Sequence, residues 1–572
     1  MTCGDAETTF RWAWALLDGL VGAGVRRAVI SPGSRSTPLT LAALRHPGLT
    51  THMVLDERSA AFFALGLVKA EAAPVAVIAT SGSAVANWFP AVTEANMGRW
   101  PLILLSADRP PELQDCGANQ TMDQIGLFGS HVRAFHHLPP AETETGWLGG
   151  LAARAVAAGQ GPLPGPVHLN IPLREPLVPP AALPPARTMS RSVTPLASQL
   201  RPTADAVAAI QSLLSSGQGA ILCGSDDLGV GFHEAVMTLG ECRRVPVFAD
   251  ILSGVRGGAA SGGTVLAHPD QVARTAPAAD WVLRFGGAPI SRAMTDWLGR
   301  CGGRPQVVVS AHPRPADPVG VASHVIHADP ATLCRMLAEP MATAPGWRET
   351  FLELDRQAEW KAAAACADDI AFEGTLLRRL LSGLPPETAL FLGNSLTVRA
   401  AEWFAGRLPH RLRLFGNRGV SGIDGNLSTA FGLAAGCGSA VAVVGDLALQ
   451  HDLTALALGR EHRLVVVVLD NGGGGIFDHL PQAGLPEYRQ AWLMPQGLSI
   501  PAAAQAFGLD YVRAGEIGTA LGAIRAALDH AGSSVVHLPI DRTVSLNRCR
   551  EFHSLYDQGD RVHDPVAALS RR

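Results

Sequence analysis

Two apolar runs in the second half of the chain each end on a hard oxygen donor. In AVAVVGDLALQHDLTALALGREHRLVVVVLDNGGGGIF, residues 440–477, one run closes at Gly445-Asp446, a helix-like stretch follows, and a second run closes at Asp470-Asn471. A βαβ unit of this kind sets both polar ends at the carboxyl edge of one sheet, about 4.8 Å apart if the strands are neighbours. Ligands of α/β sheets bind at that edge. Asp446 and Asn471, 25 residues apart (471 − 446), offer the oxygens that Mg²⁺ takes alongside water and substrate phosphates. The glycines at 472–475 let carbonyls and N–H groups approach such a metal and a diphosphate closely. Gly-Asp alone is an ordinary strand-ending turn; with that spacing and an Asn before four glycines, the pattern is far more specific.

Other candidates lie near strand ends. Glu57, in LDERSAAFFALGLVKA, follows a short apolar run and opens an apolar-periodic helix. The helix dipole also favours a carboxylate there, and Asp56 suits that simpler role better. SPGSRSTP, residues 31–38, reads as a tight strand-to-helix loop exposing Ser34, Arg35 and Ser36 near a helix N-terminus, a natural anion site. Arg109 in SADRPPE, Arg399 in GNSLTVR and Arg418 in GNRGVSGIDG stand in comparable settings. Each alone suits a solvated surface. Four together suggest a site for several carboxylates, which Arg pairs with bidentately.

The elements that must position these groups alternate throughout. Apolar runs at 28–30, 53–55, 75–79, 102–105 and 167–171, separated by loops and helix-like segments, predict a parallel sheet covered by helices. A proline-dense stretch at 172–195 predicts an extended linker. Runs at 220–222, 247–249, 281–285 and 307–310 predict a second α/β unit, and 335–375 a largely helical connector. Runs at 389–392, 412–415, 440–444, 465–469 and 535–540 predict a third. The first and third units end alike, in VHLNI (167–171) and VHLPI (536–540); internal duplication and the small alphabet of buried strands both account for this.

Composition bounds the rest. The chain has 572 residues, enough for roughly three or four domains. It is 47% hydrophobic and 17% charged, which excludes wholesale disorder, and a net charge of −4 leaves no nucleic-acid footprint. Lys69 and Lys361 are its only lysines, and neither lies in a P-loop. H-E-x-x-H and G-x-S-x-G are absent. Nine scattered cysteines without C-x-x-C argue against a disulfide framework or zinc site and fit a reducing compartment. The start, MTCGDAETTF, carries no signal pattern, and the strongest apolar run, 464–469, is too short to span a bilayer. The expectation is a soluble cytoplasmic protein with no membrane span.

The unit of GD followed by N resembles the metal–diphosphate motif of thiamin diphosphate enzymes. SPGSRSTPLT, LDER, ATSGSAVAN, SADRPPEL, CGANQ, GNS, NRGVSGIDG and GDLALQHDL are similar, more narrowly, to the 2-succinyl-5-enolpyruvyl-6-hydroxy-3-cyclohexene-1-carboxylate (SEPHCHC) synthases of menaquinone biosynthesis. The likeness is dense over 26–172 and 389–480 and thin between them. It implies three doubly wound parallel-sheet domains: pyrimidine-binding (1–175), central (196–340) and diphosphate/metal-binding (370–572). It implies thiamin diphosphate with Mg²⁺ or Mn²⁺, a cofactor between the first domain of one subunit and the third of another, and a homodimer or dimer of dimers. The implied reaction decarboxylates 2-oxoglutarate and adds the resulting carbanion to isochorismate.

The resemblance also implies roles. Glu57 would activate the cofactor. Asp446, Asn471 and the Gly473 carbonyl would hold the metal. Ser395, Ser421, Ile423, Gly445, Leu447, Ile476 and Phe477 would contact the cofactor, with Ile423 as an apolar wedge beneath it. Ser34, Arg35, Arg109, Asn119, Gln120, Arg292, Arg399 and Arg418 would line the substrate site, Arg292 on the thinnest flanking identity. Leu447 stands where the wider motif has a glycine, as in this family, and Gly472 and Gly475 replace the usual side chains after the last ligand strand. Rival readings are an acetolactate-synthase-like carboligase, which the arginines disfavour, a non-catalytic relative, which should have lost Glu57, Asp446 or Asn471, and a flavin or nucleotide module in the central unit.

Overall fold

The computed structural model describes residues 5–141, 143–179, 198–226, 228–258, 263–340, 344–495 and 497–554. These form three parallel α/β sheet domains. The first sheet contains β1 (Arg27–Ile30), β2 (Thr50–Met53), β3 (Val75–Ala79), β4 (Leu102–Asp108), β5 (Ala134–His137) and β6 (Val167–Pro172), ordered β2-β1-β3-β4-β6-β5. The second contains β7 (Gly219–Cys223), β8 (Val247–Ala249), β9 (Trp281–Phe285), β10 (Gln306–Ser310) and β11 (His324–His327), ordered β11-β10-β9-β7-β8. The third contains β12 (Ala389–Leu392), β13 (Arg413–Phe415), β14 (Ala440–Gly445), β15 (Leu464–Asp470), β16 (Asp510–Arg513) and β17 (Ser534–Pro539), ordered β13-β12-β14-β15-β17-β16.

Central strands are covered on both faces, so their sequences are near-continuous apolar runs; β3, β4 and β6 are buried throughout. Edge strands are not. β5, β11 and β16 are partly exposed and polar, and no apolar run announces them. β2 is a correction: it occupies 50–53 rather than 53–55, and the Met53 and Leu55 side chains are exposed. The crossover after Asp446 also differs from a single helix. It is a short helix, Asp446–His451, followed by a 3₁₀ segment, Leu453–Arg460. Between them, buried Asp452 accepts the Ser428 backbone N–H (2.7 Å) and hydroxyl (2.9 Å), which breaks the run. Most of the proline-rich stretch, 180–197, lies outside the described residues.

The two outer sheets share one strand order, with β1 to β6 matching β12 to β17. VHLNI and VHLPI fall on the matching strands β6 and β17. His168 shares a hydrogen bond with Ser106 on β4 (2.7 Å), and His537 shares one with Asp470 on β15 (2.9 Å). The helices that follow β2 and β13, Glu57–Glu71 and Asn426–Cys437, pack on each other. Their crossing is glycine to glycine. A Cβ on Gly66 would sit 2.0 Å from the Thr429 carbonyl oxygen, and one on Gly432 would sit 2.0 Å from that of Phe63. Phe63 and Thr429 each stand three residues before the glycine, so the contact is reciprocal, as across a two-fold axis. One apolar core, including Phe62, Phe63, Leu427 and Phe431, runs through both domains at this seam.

The central domain grips the third through a fully buried ion pair, Arg256–Glu402 (2.5 Å), and through Glu402 accepting the Ile251 N–H (2.8 Å). Gly66→Val should force these backbones apart at a cost of about 3 kcal/mol or more, beyond ordinary overpacking. Scanning calorimetry should show a lower unfolding temperature, and an unchanged one would refute the close crossing.

Candidate active site

β14 and β15 are parallel neighbours in register, with Gly445 opposite Leu469. Asp446 and the pair Asp470-Asn471 therefore leave the sheet side by side. Asp446 and Asn471 border a cavity on which the first turns of three helical segments converge: Leu396 and Thr397 of Leu396–Phe404, Leu447 and Ala448 of Asp446–His451, and Ile476 and Phe477 of Gly475–His479. N–H groups without helical partners and the positive dipole end make such turns receptive to anions.

Three residues lining the cavity carry a buried oxygen without a partner: Asp446 (Oδ2) and Asn471 (Oδ1) at the ends of the two strands, and Glu373 (Oε2). Interior polar atoms are nearly always satisfied, and hard oxygens left bare side by side have the chemistry that could take a cation. Burial pushes the Asp446 carboxyl up to about 6, with the Asp470 carboxylate nearby adding to it. Asp470 itself is held below the ordinary range, chiefly by its hydrogen bond to His537. Among the described residues no three His, Cys, Asp or Glu side chains cluster as a metal site, so a cation here would depend on Asn and backbone oxygens as well. The Gly473 carbonyl accepts a hydrogen bond from Arg542 (2.8 Å).

The glycine run is a steric requirement. Gly472, Gly473 and Gly474 have φ of 74°, 86° and 69°. A Cβ at 473 would meet the Met494 carbonyl oxygen at 2.1 Å, and one at 475 would meet Asn471 Nδ2 at 2.5 Å. Gly475 thus leaves room for the Asn471 amide.

Of the residues expected to contact the cofactor, Ser395, Ile423, Gly445, Leu447, Ile476 and Phe477 line the cavity. Ser421 is exposed and not among the lining residues. Ser395 (φ 71°) and Ser421 (φ 61°) both hold left-handed backbone, unusual for serine and common at functional turns. Glu373 and Asn394 also line the cavity. Asn394 lay within GNS and could have been read from it, whereas nothing in the sequence marks Glu373.

The four arginines resolve into two pairs. Arg399 and Arg418 lie on the third domain, where burial and mutual repulsion lower the Arg399 pKa. Arg399 donates to the Ser395 carbonyl (2.7 Å) and Arg418 to Asn394 Oδ1 (2.8 Å). Arg35 and Arg109 lie on the first domain; burial and then Arg109 lower the Arg35 pKa. The loop at 31–38 departs from expectation: Ser34 is exposed, but Arg35 and Ser36 are buried. The chain after β6 folds over Arg35, which donates to the Leu173 carbonyl (2.8 Å) and pairs with Glu175 (3.0 Å). Arg109 donates to the carbonyl of exposed Asn119 (2.8 Å), and Gln120 Nε2 to that of Ser81 (3.2 Å). Arg292 is exposed on the central domain and pairs with Asp296 (3.6 Å).

Glu57, half-buried, opens its helix and is not among the residues lining the cavity. Its neighbours reach the far side of the crossover instead: Arg58 donates to the carbonyl of His451 at the end of the short Asp446 helix (3.0 Å), and Asp56 accepts from Thr454 in the 3₁₀ segment that follows (3.0 Å).

Three family models match in order along this architecture. They are the N-terminal TPP binding domain of thiamine pyrophosphate enzymes (residues 11–127), the middle domain (197–392) and the C-terminal TPP binding domain (400–538). The SEPHCHC synthase of Dechloromonas aromatica is 42% identical over 92% of this chain and 98% of the relative. The chain belongs to the SEPHCHC synthase family of thiamine pyrophosphate enzymes. The synthase of Geobacillus thermodenitrificans is 38% identical over 94% of each chain. A benzoylformate decarboxylase crystal structure from Polynucleobacter necessarius superposes with a TM-score of 0.69 at 19% identity, covering 93% of this chain and 98% of that one, a likeness of fold.

Thiamine pyrophosphate is the cofactor of this family, and the cavity suits its diphosphate: three first turns border one space beside the bare oxygens of Asp446 and Asn471. Gly475→Ala should press on the Asn471 amide and weaken metal-dependent binding of thiamin diphosphate about tenfold. Asp446→Ala should weaken it more. Titration calorimetry checks both, and parent-like affinities would count against Asp446 and Asn471 as the cation site.

Proposed function

We propose that this chain performs the SEPHCHC synthase reaction, a step of menaquinone biosynthesis, with the residues assigned below. In that reaction 2-oxoglutarate loses CO₂ and the remaining fragment adds to the conjugated alkene of isochorismate. The observation that carries the assignment is the bare pair Asp446 Oδ2 and Asn471 Oδ1 beside three converging first turns. When bound, thiamin diphosphate would supply the electron sink that the decarboxylation needs.

Asp446 and Asn471, with the backbone oxygen of Gly473, would hold the Mg²⁺ or Mn²⁺ that neutralises the diphosphate. Ile423 would support the cofactor, and Leu447, Ile476 and Phe477 give the cavity apolar walls that would help to keep water out. Glu57 holds a proton at the pyrimidine ring nitrogen, general acid–base work that needs a carboxylate fixed at a helix start. The two substrates together bring four carboxylates. Arg35 with Arg109, beside Ser34, Asn119 and Gln120, and Arg399 with Arg418 bind and orient them, a large contribution for a two-substrate step. Arg292 is the outlying member of this set.

Glu57 does not line the cavity formed by its own third domain. That supports a homodimer, or a dimer of dimers, in which the first domain of one copy completes the site of another. No helix among the described residues is long and apolar enough to cross a membrane. A cytoplasmic setting belongs to the same reading.

Product analysis with 2-oxoglutarate, isochorismate, thiamin diphosphate and Mg²⁺ should yield SEPHCHC, whereas pyruvate alone should yield nothing; the opposite pattern would favour an acetolactate-synthase-like activity. Glu57→Gln should lower kcat by at least about a hundredfold while cofactor affinity stays within a few-fold. Near-normal turnover would remove Glu57 from this role.

A further inference from the structure

Lys69 is one of only two lysines in the chain, and the roles above leave it unused. It lies in the last turn of the helix Glu57–Glu71, 7% exposed. Its Nζ donates to the Gly416 carbonyl of the third domain (2.7 Å) and sits 5.2 Å from the Trp100 ring centre. Glu94, on the first-domain helix Phe89–Gly98, is 1% exposed. Its Oε1 accepts the Gly419 N–H (2.7 Å) and its Oε2 the Val420 N–H (2.7 Å). Two buried, oppositely charged side chains of one domain therefore grip both ends of the segment 416–420 of another.

Arg418 lies inside that segment. On its cavity side, Asn394 Nδ2 donates to the carbonyls of Asn417 (2.7 Å) and Gly422 (2.6 Å), while Asn394 Oδ1 accepts from Arg418. The segment is thus held on both sides, by Asn394 from the cavity wall and by Lys69 with Glu94 from the first domain. Buried charges are costly unless they are paired and bonded. Burial pulls the Lys69 ammonium down to about 8, and Glu94 opposes the shift. A compact ammonium meets a single carbonyl beneath a ring without the further partners that a five-donor guanidinium would seek. Glu94 is equally specific, because each of its oxygens takes one N–H of consecutive residues.

We propose that Lys69 and Glu94 are positioning residues for the substrate site: together they fix the segment 416–420 in the setting that aims Arg418 at a substrate carboxylate. The inference rests on the role of Arg418 given under Proposed function. Its grip on 416–420 is measurable without turnover.

Two variants of the full chain test it, Lys69→Met and Glu94→Gln. Gln keeps one acceptor and turns a donor amide toward the other N–H. Hydrogen exchange of the peptide spanning 416–423, followed by mass spectrometry in cofactor-free protein, should accelerate about tenfold or more in each variant, with β14 and β15 unchanged. In the assay with both substrates, KM for one of them should rise about tenfold while kcat stays within about threefold. In an Arg418→Ala background, Lys69→Met should add nothing further to that KM. Unchanged exchange at 416–423, or a KM increase that persists without Arg418, would overturn the proposal. If Glu94→Gln does not fold, Lys69→Met decides alone. If the parent turns over neither substrate, the reaction assigned above fails, while faster exchange still upholds the grip.

Discussion

Two valine-rich strands lying parallel and in register decide where the chemistry can be. β14 and β15 are hydrogen-bonded from Ala440 opposite Leu464 to Gly445 opposite Leu469, so both chains leave the sheet at the same level. A slip of one residue would turn every side chain to the other face. In register, Asp446 and Asn471 emerge together and leave two interior oxygens bare. The sheet beneath is buried on both faces, and its rigidity holds polar atoms in a place they would otherwise abandon. The glycine run continues the same constraint, since its narrow backbone keeps the Asn471 amide where the strand put it.

The interior of this arrangement was legible in the sequence and its margins were not. β3, β8, β9 and β12 occupy the expected residues because strands with covered faces are written in apolar runs. β5, β11 and β16 are partly solvated, carry polar side chains and leave no such trace. The pair Asp446 and Asn471 was legible because strand ends follow from strands. Arg35 was expected at the surface and is buried, since its cover comes from Leu173 and Glu175, residues remote in sequence. The division of the arginines into two pairs is likewise tertiary. Glu373 carried no signal, and Lys69 stood out only by the rarity of lysine.

The helix Leu396–Phe404 shows how the central domain takes part without touching the cavity. Its first turn lines the cavity, and Arg399 projects from its middle. Its last turn is held from the central domain: Glu402 pairs with Arg256, and the Trp403 carbonyl bonds to His268 (3.0 Å). Asp250, fully buried in the same junction, accepts the N–H groups of Leu252 (2.9 Å) and Ile290 (2.7 Å) and so braces the loop that meets Glu402. A rod anchored at one end by buried charge presents its other end with little freedom, which is what a binding turn needs.

The reciprocal crossing of Gly66 and Gly432 has the form of an isologous interface folded into a single polypeptide. Such a joint sets unequal rules for divergence in its two halves. The loops at the sheet edges are free to specialise, one toward guanidinium and carboxylate, the other toward bare oxygens and open backbone. The joint is not: enlarging either glycine disturbs both halves at once, so neither can drift there independently of its counterpart.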